Sequence, residues 1–557
     1  MTLPRPERFA ERANGRVLRW GAVLCRPLLA LALLMPLHAA HAQLPAPVTN
    51  VAADSARNSA ELLEKVDQLV DQNRQLERQN QELMSEIQSL REYLSKVASA
   101  PAAPASINKT NEKADNASVA VESTSSTPSV AVADATPAAA SISAAPDVRN
   151  AVPRVGQEPS KTWGTYTDNL GFKVANTEYG DLNVSIYTYV RYLNQLGLNA
   201  TYTDAFGNQK SVQQRQDLQL NKVQIKFLGW LFNQKFRYFL YAWTSNASQG
   251  LGAQVVVAGN LNYSFSKHLT LSGGITSLPG TRSVEGNFPF WLGVDTRLIA
   301  DEFFRPSYTS GFWAKGQITD KLMYQAMLGN NLSTLGVSAA QLNNKFDTLA
   351  TALIWMPTTG EFGKGFGDFE QHSELATRFA AHFTRSNEDA QEQPNSNQFE
   401  NTQIRLEDGS VIFTPNLFGQ GITVTDLVYR MAAFDGGLKY HGYSLDAECF
   451  FRWLDNFHGP GTTGLPSVFS TGVQLQGSAM AIPKTLQVYL GGSTLNGKYG
   501  NPFDFRAGIN WFPYHNRVLR WNTEFLYLDK SPVGYTAVPF ALGGTGPVFH
   551  TSLELAF

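Results

Sequence analysis

The chain has 557 residues, of which 17% are charged and 11% aromatic, with 45 glycines and a formal net charge of −2. This is a strand-and-turn composition, and its near-neutral balance gives no footprint for nucleic acid. After the first forty residues no run of about 18 or more apolar residues exists to cross a bilayer as a helix, so any membrane span must be made of strands.

Arg5, Arg8, Arg12, Arg16, Arg19 and Arg26 precede and flank an apolar run that closes on Ala40-His41-Ala42. This pattern predicts a secretory leader over 1–42, cut after Ala42. Losing its six arginines and two glutamates leaves 39 basic and 45 acidic side chains, a net charge of −6. One cysteine, Cys449, would remain, too few for an internal disulfide.

A heptad repeat follows. Leu62, Leu69, Leu76, Leu83, Leu90 and Val97 recur every seven residues, and Val66, Asn73, Asn80, Ile87 and Leu94 fill the second seam position. The pattern predicts a coiled coil over 57–98, with Asn73 and Asn80 fixing register and strand number at some cost in stability. The heptads leave two and three strands both open. Residues 99–165 turn to Ala, Ser, Thr and Pro, as in Pro101-Ala102-Ala103-Pro104, and read as a linker too poor in apolar side chains to build a core.

From about residue 181 the pattern alternates at period two. In Lys222-Val223-Gln224-Ile225-Lys226-Phe227 the even positions are polar and the odd ones apolar, and the same holds in Phe503-Asp504-Phe505-Arg506 and 519–525. Either a soluble sandwich or a membrane barrel produces such strands. Three features favour the barrel. The last strand alternates and finishes on Phe557, like the assembly signal of outer-membrane barrels. Short turns such as Thr319-Asp320 and His441-Gly442 alternate with long loops, and aromatics such as Trp230, Trp243, Trp313, Trp355, Trp453, Trp511 and Tyr514 gather near strand ends, where interface girdles belong. The fold expected for 166–557 is therefore an all-β transmembrane antiparallel barrel of about sixteen strands. The segments are 181–192, 217–229, 235–245, 254–265, 268–277, 307–318, 321–330, 345–357, 373–386, 424–440, 443–454, 469–482, 485–495, 503–513, 517–528 and 547–557. An even number puts both barrel ends, and the coiled coil, in the periplasm.

The blocks Phe304-Arg305-Pro306-Ser307-Tyr308-Thr309-Ser310-Gly311-Phe312-Trp313, Tyr440-His441-Gly442-Tyr443-Ser444-Leu445-Asp446-Ala447-Glu448 and Arg506-Ala507-Gly508-Ile509-Asn510-Trp511-Phe512 resemble the phosphate-selective porin O and P family and its relatives. The resemblance spans about 180–557 in short degenerate motifs. It implies a homotrimeric sixteen-stranded channel in outer-membrane lipid for small, anionic or polar solutes, with the third loop folded inward.

The best inward loop joins the fifth and sixth strands and carries Arg282, Glu285, Asp295, Arg297, Asp301, Glu302 and Arg305. Opposed signs across a constriction would set up a transverse field, whereas the plainer reading is a solvated or loop-anchoring charge. On the wall, alternation turns Lys222, Lys226, Arg237, Lys315, Arg378, Lys439, Arg452, Arg506 and Arg520 inward, sharing the face with Glu374, Asp446, Glu448, Asp504 and Glu524. Cross-strand ion pairing competes with an anion ladder. No histidine falls in a metal-ligand spacing and no serine in a nucleophile motif, so neither an enzyme, a metal nor a cofactor is expected. The competing functional readings are a general or sugar-type porin and a structural anchor whose coiled coil reaches toward peptidoglycan.

Overall fold

The computed structural model describes residues 164–557, apart from 168–169, 246–253, 287, 336, 338–340, 343–344 and 394–402. The expected leader, the coiled coil with Asn73 and Asn80, and the linker up to 163 lie outside the described residues.

Sixteen strands form the wall: β1 (Gly180–Asn194), β2 (Gln216–Leu231), β3 (Asn233–Ser245), β4 (Gln254–Ser266), β5 (Leu269–Ser277), β6 (Tyr308–Thr319), β7 (Leu322–Gly329) and β8 (Thr348–Trp355). The wall continues through β9 (Ala376–Asp389), β10 (Asp426–Tyr440), β11 (Tyr443–His458), β12 (Val468–Ile482), β13 (Leu486–Gly497), β14 (Phe503–Trp511), β15 (Leu519–Asp529) and β16 (Gly546–Ala556). Each pairs antiparallel with the next, and β16 returns to β1 in the register Phe549↔Asn194 to Ala556↔Tyr187, which closes an antiparallel barrel. Every expected segment falls on one of these strands. The described residues contain no helix long and apolar enough to cross a membrane.

Closure removes the sheet edges that lipid could not hydrogen-bond. Phe557 continues the zipper: its N–H donates to the Ile186 carbonyl at 2.9 Å and its carbonyl accepts from Ile186 N–H at 2.6 Å and Ser185 Oγ at 2.7 Å. Below that point a short strand, Gly171–Thr177, pairs with the start of β1. One end of the barrel carries tight turns. At His441-Gly442 both residues have positive φ, 47° and 86°, as a two-residue hairpin turn of this kind requires.

Side chains alternate as two opposed media demand. On β14, Phe503, Phe505, Ile509 and Trp511 point outward, while Asp504, Arg506 and Asn510 are buried within. The phase slips at Lys222, a bulge residue with φ 48°: before it the inward residues are Gln219 and Asn221, after it Gln224 and Lys226.

Two expectations need correction. Trp230, Trp243 and Trp313 are buried on the inward register and do not belong to an interface girdle, whereas Trp355, Trp453, Trp511 and Tyr514 are exposed. Trp243 and Trp313 join apolar clusters inside the barrel, with Leu335 and with Phe303 among their members, so the face of an aromatic cannot be read from its type alone. Glu374 is exposed and precedes β9, so it does not join the inward face.

Leu490, outward on β13 and more than half exposed, tests the assignment of the outer face. Leu490→Arg is expected to lower stability by roughly 2–4 kcal/mol in lipid if the site lies near the bilayer midplane, measured by denaturant unfolding in vesicles.

Candidate functional site: the loop-filled barrel interior

The β5–β6 connection, 278–307, is almost wholly buried although it is a loop, because it runs through the barrel and its polar groups find partners on the wall. Tyr189 on β1 donates to Asp295 at 2.9 Å and Lys222 on β2 pairs with the same carboxylate at 2.6 Å. A few strands further round the same wall, on β14 and β15, Arg506 donates to the Thr296 carbonyl, Asn510 to the Leu292 carbonyl and Arg520 to the Trp291 carbonyl, at 3.2, 2.9 and 2.8 Å. The loop ends in a short helix, α1 (Ile299–Phe304). Phe304 stacks on Phe450 of β11 with ring centroids 5.1 Å apart. Gly472 on β12 makes room for it, since a Cβ there would come within 2.4 Å of the Phe304 ring.

The side chains of the loop charges named from the sequence are all buried, and most are held in pairs. Glu302 lies between Arg297, at 3.1 Å, and Arg305. Asp301 accepts from Ser283 at 2.8 Å and Thr281 at 3.3 Å. Arg378 on β9 is clamped between Glu285 of the loop and Asp435 of β10. Arg282 donates from its backbone N–H to Glu448 and from its guanidinium to the Gly365 carbonyl, both at 3.0 Å, and lies 3.7 Å from Asp446. This is the geometry of anchoring ion pairs. Lys226 is buried on the inward face of β2. Arg237 and Lys315 occupy inward register positions toward the tight-turn ends of β3 and β6.

His382, Asp435 and Glu448 converge from β9, β10 and β11 closely enough to share a cation. Arg378 already supplies positive charge to Asp435, His382 also faces the Pro279 carbonyl at 3.0 Å, and Glu448 accepts from Arg282 and Gln474. The trio reads as part of the loop anchor.

A second segment enters from the tight-turn end. The β8–β9 connection, 356–375, is far longer than its neighbours there and carries Gly360, Gly363, Gly365 and Gly367, all at positive φ. Its tip meets the tip of the first loop: Phe366 N–H donates to the Phe290 carbonyl at 2.9 Å, and a Cβ on Gly365 would lie 2.1 Å from that oxygen. Lys439 donates to the Gly365 carbonyl at 2.9 Å. The base of the segment is tied by His372, which bonds Asp368 through Nδ1 and lies 3.2 Å from Glu361 through Nε2. Burial alone would push His372 down, but hydrogen bonds to the two carboxylates and their charge hold it up at about 9. Burial would likewise raise Glu361 and Asp368, yet hydrogen bonding from His372 holds both below their ordinary range.

At the opposite, long-loop end an apolar cluster packs around buried charges such as Glu407 and Arg452. Phe303, Ile404, Leu406, Ile412, Val538 and Phe540 from the loops pack with inward wall residues in one cluster. Toward the tight-turn end a cavity of about 430 Å³ opens beneath the meeting loop tips, lined among others by Lys226, Phe290, Lys364, Phe369 and Arg517. The 356–375 segment and Arg517 escaped the sequence reading. The available signal was a fifteen-residue gap between expected strands, 358–372, with glycines at 360, 363, 365 and 367, on the side where turns are tight.

No family model matches this chain, and no curated protein matches it. Among solved structures it is similar to the outer membrane channel DcaP of Acinetobacter baumannii, at 8% identity over 69% of this chain and 99% of that one, with a TM-score of 0.43. It is also similar to an anion-selective porin from Comamonas acidovorans (10% identity, 68% and 100% covered, TM-score 0.41). A third likeness is to Salmonella typhi OmpF in complex with daunomycin (12% identity, 69% and 100% covered, TM-score 0.42).

Arg378→Ala would leave Glu285 and Asp435 buried without their shared counter-charge, a loss of roughly 3–5 kcal/mol, read as a lower thermal unfolding midpoint. Adding Glu285→Gln and Asp435→Asn should recover much of it. The His372 tie has a defined pH window. Its contribution is complete below the ordinary histidine value of 6.5 and is lost as pH rises through about 9; that of the carboxylates is present above 3.8 to 4.5 and is lost as pH falls below that range. Proteolysis within 356–375 should therefore accelerate between pH 7 and 10, and His372→Ala should flatten that dependence.

Proposed function

We propose that this chain is an outer-membrane porin whose barrel passes small polar solutes by passive diffusion, with small anions, phosphate among them, as the leading class. The observation that supports this most directly is the inward loop 278–307: in a closed, polar-lined barrel, a loop tied to β1 and β2 on one side and to β9 and β11 on the other sets the width and charge of the path. The interior is thereby narrowed well beyond what sixteen strands alone would leave. An anion preference is supported by the cavity at the tight-turn end, where Lys226, Lys364, Lys484 and Arg517 stand against Glu361 and Glu370. In this reading the leader directs export, the tight-turn end faces the periplasm, and the coiled coil hangs there on its linker. Three copies form a homotrimer, and the coiled coil makes any contact with peptidoglycan.

The apolar cluster across the long-loop end favours a second reading, a structural anchor that conducts little. Reconstitution of the purified protein in a planar bilayer under a salt gradient separates the two. A reversal potential of the anion-selective sign, with current reduced by phosphate, is the expected result. Cation or no selectivity without block would move the assignment to a general or sugar-type porin, and no conductance would leave the anchor.

A further inference from the structure

Arg517 lies in the β14–β15 turn and differs from the inward arginines of the wall and the first loop. Its guanidinium packs against the rings of both Phe290, from the tip of the first loop, and Phe369, from the β8–β9 connection, at 4.6 and 4.8 Å from their centroids. Arg378 and Arg520 hold carboxylates, and Arg452 and Arg282 hold carbonyls. By contrast, Arg517 makes no hydrogen bond or ion pair with any described residue. Contact with two aromatic rings restricts how the fork can turn and leaves its N–H groups without a described hydrogen-bond partner. Arg517 lines the cavity of about 430 Å³.

The surrounding charge has one sign in excess. Lys226, Lys364 and Lys484 line the same cavity, and Lys364 also sits over Phe290, at 5.9 Å. Of the nearby carboxylates, Glu361 and Asp368 are taken up by His372 and by the backbone N–H groups of Gly363 and Gly442. Glu370 is exposed at the rim. A planar, preorganised fork in a cationic, half-enclosed space is the arrangement that recognises an oxyanion through two parallel hydrogen bonds.

We propose that the cavity at the tight-turn end is a binding site for a small oxyanion, a carboxylate or a phosphate, with Arg517 as its bidentate donor and Lys226 and Lys364 as flanking charges. The proposal rests on the channel reading, since the cavity must be reached through the lumen or the periplasmic mouth.

The test is isothermal titration of the detergent-solubilised full chain with inorganic phosphate and, separately, with succinate, chloride serving as the control anion. Saturable binding of either oxyanion is expected, with the tighter of the two identifying the ligand class. Arg517→Ala should weaken it by at least about tenfold, and Arg517→Lys, which keeps the charge but loses the fork, should fall between. No saturable binding to the unmodified protein, or an unchanged affinity in Arg517→Ala, would overturn the site. If Arg517→Ala does not fold, Arg517→Lys and Lys364→Met decide: weakening of several fold in both supports the site, and unchanged affinity in both overturns it. Single-channel conductance of the same preparations in potassium chloride keeps the two claims apart. Conductance without oxyanion binding sinks the site and leaves the channel, whereas binding without conductance keeps the site and sinks the channel.

Discussion

A strand that borders lipid must satisfy every backbone N–H and carbonyl within the sheet, and in this chain the requirement is met by the return of β16 to β1 across the register Phe549↔Asn194 to Ala556↔Tyr187. Closure has a second effect. It divides the side chains between an apolar exterior and an enclosed interior, so charge that cannot face lipid must be accommodated inside. The wall therefore brings Lys222, Arg378, Asp435, Glu448, Arg506, Arg520 and Glu524 into one confined space, where each needs a partner at short range.

The two inward segments supply many of those partners. Asp295 answers Lys222, Glu285 answers Arg378, and loop carbonyls answer Arg506 and Arg520. Buried pairs of this kind add little net stability compared with an apolar filling, but breaking one is expensive, so they select a single path for the loop over its alternatives. Apolar contacts then complete the interior around them. Phe304 against Phe450 secures one end of the first loop, and Phe288, Trp291 and Phe366 cluster with Tyr187, Tyr189 and Tyr489 near its tip.

The wall was legible because lipid and lumen impose opposite demands at every second residue, and sixteen segments could be marked from alternation alone. Phase was harder. A single bulge at Lys222 reverses the inward positions along β2, and the inward tryptophans Trp230, Trp243 and Trp313 break the equation of aromatic with girdle. In the interior, the charges of 278–307 could be named from the sequence but their partners could not. Arg282 reaches Glu448, 166 residues away, and Tyr189 reaches Asp295 across 106; only closure of the barrel makes such pairs neighbours. Arg517 was invisible for the same reason: a basic residue in a turn is ordinary until two phenyl rings from distant loops pack against it. The expected coiled coil and its Asn73 and Asn80 stand where the sequence left them.

The contact between Phe366 and Phe290 joins segments that enter the barrel from opposite mouths. Where the tips meet, the fit is tight enough that even a Cβ on Gly365 would strike the Phe290 carbonyl, so neither tip can be displaced without the other yielding. The finished molecule thereby carries a link along its axis, and a substitution that moves one tip must move the other.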